Sequence, residues 1–189
     1  MIQLDEQSHK YYQNGIEIPG VTTILSDVGI SDFSMVDDDT LKYAAKRGTA
    51  VHKACELFDR DDLGGYSPTI EPYLDSWIDF CRDFRPAFIE IEKLVFCPKY
   101  MYAGTLDRVA SIDGYEYIVE IKTGQKSRSH QIQMAAYEYA HKKDRRYKMK
   151  RLCVYLSKEG YDAEPFEDDD DINVFYAALK TYNFKRNNK

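Results

Sequence analysis

Gly104-Thr105-Leu106-Asp107-Arg108-Val109-Ala110-Ser111-Ile112-Asp113-Gly114-Tyr115-Glu116-Tyr117-Ile118-Val119-Glu120-Ile121-Lys122 reads as two β-rich runs joined by Asp-Gly, the strongest short-range signal for a two-residue hairpin loop. With such a loop Ile112 pairs with Tyr115, and counting outward sets Asp107 opposite Glu120 and Thr105 opposite Lys122. Side chains so opposed have Cβ atoms about 4.5–5.5 Å apart, where like charges repel. A divalent cation is a natural compensator, because hard cations take carboxylate oxygens. Lys122 follows Glu120 by two residues and shares its face, so a metal-free ion cluster of Asp107, Lys122 and Glu120 is the alternative. That face continues in Val109 and Ile118, while Leu106, Ala110, Ile112, Val119 and Ile121 occupy the other. Strands apolar on both faces belong in the middle of a sheet. A bulge in either strand would break the 107–120 pairing.

The flanking sequence supplies the layers that would cover such a sheet. Phe88 to Phe96 and Lys150 to Ser157 read as further strands, and Ser129 to His141 as a helix between them. Upstream, Thr40 to about Asp59 carries Leu41, Ala44, Ala45, Val51, Ala54, Cys55 and Phe58 at a period near that of an α-helix. Residues 69–84 repeat the pattern with Tyr73, Leu74, Trp77, Ile78 and Cys81 on one face. Tyr11 to Ile18 is a hairpin turned by Asn14-Gly15, followed by a short helix from Thr22 or Thr23 to about Val28. The acidic block Glu167 to Asp171 is a solvated loop or the first turn of a last helix, and the tail beyond about Phe184 is expected to fray. The expected fold is α/β, a mixed central β-sheet flanked by helices. It forms one domain: an N-terminal hairpin and short helix (1–36), a core (37–157), and a C-terminal strand, helix and tail (158–189).

The chain has 189 residues, 43% hydrophobic and 31% charged, enough for one well-buried core and unlike a disordered chain. No apolar run is long enough for a membrane span, and residues 1–10 hold no apolar secretory segment, so a cytoplasmic protein is expected (host cytoplasm if viral). Cys55, Cys81, Cys97 and Cys153 lack metal-ligand spacing, and reduced thiols are the better reading. The net charge of −6 argues against nucleic acid, but its distribution does not. Lys122 to Arg151 holds ten Lys or Arg and two acids, a local +8 that leaves −14 for the rest. Such asymmetry fits a surface that meets an anion, or a solvated basic helix end and loop.

Four motifs resemble the PD-(D/E)XK nuclease superfamily, in its RecB-like, phage-exonuclease-type branch. Arg47-Gly48-Thr49-Ala50-Val51-His52 is similar to that branch's helical histidine motif. Glu92, then Tyr102-Ala103-Gly104-Thr105-Leu106-Asp107, is similar to its "E…GxxD" run. Glu120-Ile121-Lys122 matches the "EXK" element, and Lys122-Thr123-Gly124 with Gln133-Met134-Ala135-Ala136-Tyr137 the "KTG…QxxxY" ending. Residues 18–25 also look like the opening of small phage-type exonucleases. The resemblance implies a restriction-endonuclease-like αβββαβ core. It further implies a Mg²⁺- or Mn²⁺-dependent DNA nuclease, an exonuclease of viral or phage recombination or processing. A structure-specific endonuclease and a non-catalytic nucleic-acid-binding module are the alternatives.

It implies, too, that Asp107, Glu120 and the backbone carbonyl of Ile121 are metal ligands, joined by His52. Glu92 would ligate or stand behind the site, or else be a surface strand residue. Lys122 would orient or deprotonate the attacking water, or stabilise charge on the phosphoryl group. Gln133 and Tyr137, four apart on one helical face, would sit beside it. Glu56, one turn from His52, would ligate or orient that ring. Arg47, Thr123, Lys126 and Arg128, with Lys142, Lys143, Arg145, Arg146 and Lys148, would track a phosphate backbone. Tyr100 and Tyr102 either stack on bases or pack. Relatives carrying a helicase or serving CRISPR adaptation often hold four cysteines for an iron–sulfur cluster; no such set occurs in this sequence, so none is expected. The partners expected are DNA ends, single- or double-stranded, a recombination or replication protein, and further copies of the chain, with no membrane.

Overall fold

Asp113 and Gly114 adopt φ of 50° and 79°, the doubly left-handed turn whose twist matches that of paired strands. Around it β5 (Tyr102–Ile112) and β6 (Tyr115–Lys122) pair from Ile112↔Tyr115 to Arg108↔Val119, the register read from the sequence. The computed structural model describes residues 1–6, 8–31, 36–142 and 148–187. The two strands are central in a five-stranded sheet of order β4-β5-β6-β7-β8, with β4 at Ala87–Cys97, β7 at Lys150–Leu156 and β8 at Tyr161–Phe166. Only β6 and β7 run parallel, and α4 (Arg128–His141) crosses between them, as a parallel pair requires. Preceded by α2 (Asp38–Asp59) and α3 (Glu71–Phe84), this is an α/β fold with the αβββαβ order expected of the restriction-endonuclease-like core.

Helices cover both faces because both faces are apolar. On one, Ile24 and Leu25 of α1 (Val21–Asp27), Met134 and Ala136 of α4, and Phe175 and Leu179 of α5 (Asp171–Asn187) pack on Val109, Ile118 and Cys153. On the other, Val51 and Cys55 of α2, with Leu74, Trp77 and Phe80 of α3, pack on Ala110, Ile112, Val119 and Ile121. The strict alternation expected of β5 breaks at one place. Leu106 joins Val109 and Ile118 rather than Ala110 and Ile112. The regular ladders pass over Asp107: β4 pairs Lys93↔Leu106 and Ile91↔Arg108, and pairing with β6 ends at Arg108↔Val119. The register with β4 is the same on both sides of this gap, and the recorded bulge lies further along, between Phe88 and Glu90.

The N-terminal hairpin turns at Asn14-Gly15 as expected, and a further strand precedes it, so β1 (Ile2–Asp5), β2 (Lys10–Gln13) and β3 (Ile16–Ile18) form a small antiparallel sheet. Tyr11 and Ile18 anchor it against Ala103 at the start of β5. The last helix runs to Asn187 instead of fraying after Phe184, and Lys185 ties it to the carbonyl of Asp27 at 2.5 Å. Among the described residues, no helix is long and apolar enough to cross a membrane.

Candidate active site

The interruption at Asp107 is the centre of the site. Its Oδ2 accepts the backbone N–H of Ile121 at 2.7 Å, so a side chain takes the place of a strand carbonyl. Its Oδ1 lies 3.3 Å from Nδ1 of His52, which α2 brings over the sheet. The strict Asp107–Glu120 opposition expected from the hairpin is thus replaced by an Asp107–Ile121 contact, although both acids still line one cleft of about 410 Å³. Glu92, the β4 residue across from this point, holds φ of 52° and is likewise passed over by the ladder. Among the described residues, His52, Glu92 and Asp107 each offer one ligand atom within 4.8 Å of the others.

Glu120 lies outside that group of three, and its Oε1 is held by two donors. Lys122 Nζ donates to it at 2.8 Å, and Gln133 Nε2 from α4 also at 2.8 Å. Lys122 also donates to Gln133 Oε1 at 3.2 Å, and Gln133 Nε2 reaches the Tyr137 hydroxyl at 3.0 Å. The helical spacing of Gln133 and Tyr137 therefore delivers both to the carboxylate–lysine pair. Oε2 of Glu120 is buried and has no hydrogen-bond partner among the described residues. A buried carboxylate oxygen without a donor is costly unless a cation meets it. The imidazole of His52 and the carboxylates of Glu92 and Asp107, with Glu120 in the same cleft, are a hard donor set compatible with a divalent cation.

The charges respond to this crowding. Burial and the negative Asp107 push Glu120 up to about 7. Burial also opposes ionisation of Asp107, but His52, Lys122 and Arg108 outweigh it and hold that carboxyl below its usual range. His52 is raised because Asp107 outweighs the effect of burial. Glu92 is pushed up to about 6 by burial and Asp107. Burial lowers Lys122, but Glu120 and Asp107 more than compensate, and its ammonium is raised above the usual range.

Several expected partners lie elsewhere. Glu56 turns to Lys53 at 2.8 Å and Arg60 at 3.1 Å rather than to His52, although it lines the cleft. Among the described residues, three cations of the expected phosphate track, Lys126, Lys142 and Lys148, pair with acids of this chain. Lys126 pairs with Asp162 at 2.8 Å and Glu164 at 3.0 Å, Lys148 with Asp169 at 2.7 Å, and Lys142 with Glu138. The basic block of the sequence is thus answered by acids on α4, β8 and the turn before α5. Arg47 donates to the carbonyl of Thr123 at 3.0 Å and lies over the Tyr73 ring, bracing the loop after β6. Arg128 is exposed at the start of α4 and Thr123 is half-buried. Lys143, Arg145 and Arg146 lie outside the described residues. Tyr102 is fully buried and donates to the carbonyl of Ala136, and Tyr100 packs with Tyr139 and Tyr176, so both serve packing.

No family model matches the sequence, and no curated protein matches it. Two solved structures are similar at low identity. The crystal structure of SSO0001 is similar at 15% identity and a TM-score of 0.39, over 62% of this chain and 61% of that one, less than two thirds of its length. The alkaline exonuclease LHK-Exo from Laribacter hongkongensis is similar at 11% identity and a TM-score of 0.45, over 83% of this chain and 84% of that one.

Sequence reading missed three residues of the site. Arg108 and Asp59 form a fully buried ion pair behind Glu92, and Tyr11 closes the cleft from the N-terminal sheet, its hydroxyl 3.3 Å from Thr105 Oγ1. Arg108 carried a signal: a cation placed by alternation among Ala110 and Ile112 must find a buried acid. Tyr11 carried none, since nothing local ties residue 11 to residue 105.

Proposed function

We propose that the protein is a Mg²⁺- or Mn²⁺-dependent nuclease that hydrolyses DNA phosphodiester bonds, acting as an exonuclease in DNA recombination or processing. The observation that carries the reading is the buried, partnerless Oε2 of Glu120, in a cleft shared with Asp107, His52 and Glu92 and beside a charged Lys122. A group of acids with no use for a cation would be expected to satisfy its oxygens internally.

Asp107, Glu120, His52 and Glu92 would hold the cation, with the carbonyl of Ile121 as a further ligand. Bound there, it supplies a more acidic water and neutralises charge developing on the phosphoryl oxygens. Asp107 stays ionised and ready, its second oxygen braced by the Ile121 amide. Lys122, fixed by Glu120 and Gln133, keeps its proton and presents a positive charge to the phosphate. Tyr137 and Gln133 hold that amine in place. Duplex contacts would come from Arg128, Thr123 and the basic residues 143, 145 and 146.

The test is incubation of linear and covalently closed DNA with Mg²⁺ or Mn²⁺. Loss of nucleotides from linear DNA alone, absent in Asp107→Ala and Lys122→Ala, supports the proposal. Cutting of closed circles would make the protein an endonuclease. Salt-sensitive binding that chelators leave unchanged, without cleavage, would make it a binding module.

A further inference from the structure

Arg108 is wholly buried on the sheet face covered by α2 and α3, where its neighbours are Ala110, Ile112 and the ring of Trp77. Its Nε donates to Asp59 Oδ2 at 2.6 Å, and the other oxygen of Asp59 accepts Trp77 Nε1 at 2.8 Å. Its Nη1 forks, donating to Glu92 Oε1 at 2.9 Å and to the backbone carbonyl of Asp107 at 2.7 Å. Its Nη2 is buried with no partner.

Stability does not explain this arrangement. A buried ion pair is often no better than apolar side chains of the same volume, and an unsatisfied donor adds a penalty. Glu92 also sits in the left-handed region, a conformation that costs free energy and persists only where the surroundings impose it. What the guanidinium does achieve is geometric. One rigid fork joins the end of α2, the β5 backbone at Asp107 and the β4 carboxylate. It fixes one oxygen of Glu92, the carboxylate that also offers a ligand atom to the group with His52 and Asp107.

We propose that Arg108, anchored by Asp59, is the positioning residue that holds Glu92 as a cation ligand. The inference rests on the metal-dependent reading of the site. Lysine keeps the charge but lacks the fork and cannot reach Asp59 and Glu92 together.

The test measures Mn²⁺ affinity by electron paramagnetic resonance on the intact chain, with near-UV circular dichroism as the check of folding. Arg108→Lys is expected to weaken Mn²⁺ binding about tenfold or more, as loss of a residue behind a metal ligand does. Glu92→Gln is expected to weaken it too, and the double variant to be no weaker than the weaker single one, because Arg108 acts through Glu92. Should Arg108→Lys fail to fold, Asp59→Asn, which keeps the volume and can still accept from Trp77, is expected to change affinity in the same direction and with the same non-additivity. Wild-type protein that binds Mn²⁺ while Arg108→Lys binds it equally well, or losses that add in the double variant, would overturn this inference alone. Wild-type protein that binds no Mn²⁺ would overturn the metal reading and this inference with it.

Discussion

Gly104 has no room for a β-carbon: one built there would stand 2.4 Å from the ring of Tyr137. Gly104→Ala is therefore expected to cost about 1–3 kcal/mol as overpacking, read by urea unfolding, with Tyr137→Ala restoring part of the loss in the double variant. Lys122 is the side chain whose removal should matter most to chemistry. Lys122→Ala is expected to lower turnover by about 10²-fold or more while leaving the fold intact, as loss of a preorganised charge does. Glu120, with Glu92 and His52, contributes to the pH response. Its carboxyl is raised to about 7 against an ordinary 4.5, so its protonated form favours the folded, metal-free chain. That contribution is complete below 4.5 and is lost as pH rises through about 7. Cation binding needs Glu120 ionised and His52 neutral, and so strengthens over the same interval. The rise in Tm on adding Mn²⁺ should thus be larger at about pH 8 than at about pH 6, and Glu120→Gln should flatten the difference. A variant that kept the full pH dependence would show that another group sets it.

At the scale of elements, the hairpin of β5 and β6 was legible because Asp113-Gly114 fixes register locally and the apolar alternation fixes the faces. The same logic gave both central strands and the covering helices, whereas the meeting of Gln133 and Tyr137 with Glu120 and Lys122 was implied only by the resemblance. What it did not give was the break at Asp107. Two ladders skip that residue because its carboxylate captures an amide, a tertiary event with no local signature. The first strand escaped notice because it is four residues long and pairs with a hairpin already complete. The acidic turn before α5 was read as solvated or as the start of a helix. Asp171 does open α5, but it is buried, bonded to Arg151 of β7 at 2.8 Å, with the carbonyl of Asp168 taking the same guanidinium. Arg151→Ala would strand that carboxylate. The expected cost is about 3–5 kcal/mol in urea unfolding, whereas an unchanged midpoint would mean that water reaches Asp171.

Over the whole molecule, part of the charge asymmetry of the sequence cancels among the described residues. Lys126, Lys142, Lys148 and Arg151 all face acids of the same chain. DNA affinity should therefore fall with salt less steeply than the basic block suggests. Asp162→Asn with Glu164→Gln, which frees Lys126, should tighten binding and steepen the salt dependence by about one unit, read by fluorescence anisotropy between about 50 and 200 mM salt. If the slope stays constant, Lys126 lies off the DNA path. The two helical layers, the interrupted strand and the small N-terminal sheet meet at a single cleft, and the account depends on a cation there. The most direct test is the anomalous scattering of Mn²⁺ in crystals of the wild-type protein. The prediction is one strong peak within coordination distance of Asp107 and Glu120, with His52 and Glu92 around it. Crystals equilibrated with Mn²⁺ that show no peak in the cleft, or a peak held by neither carboxylate, would contradict it.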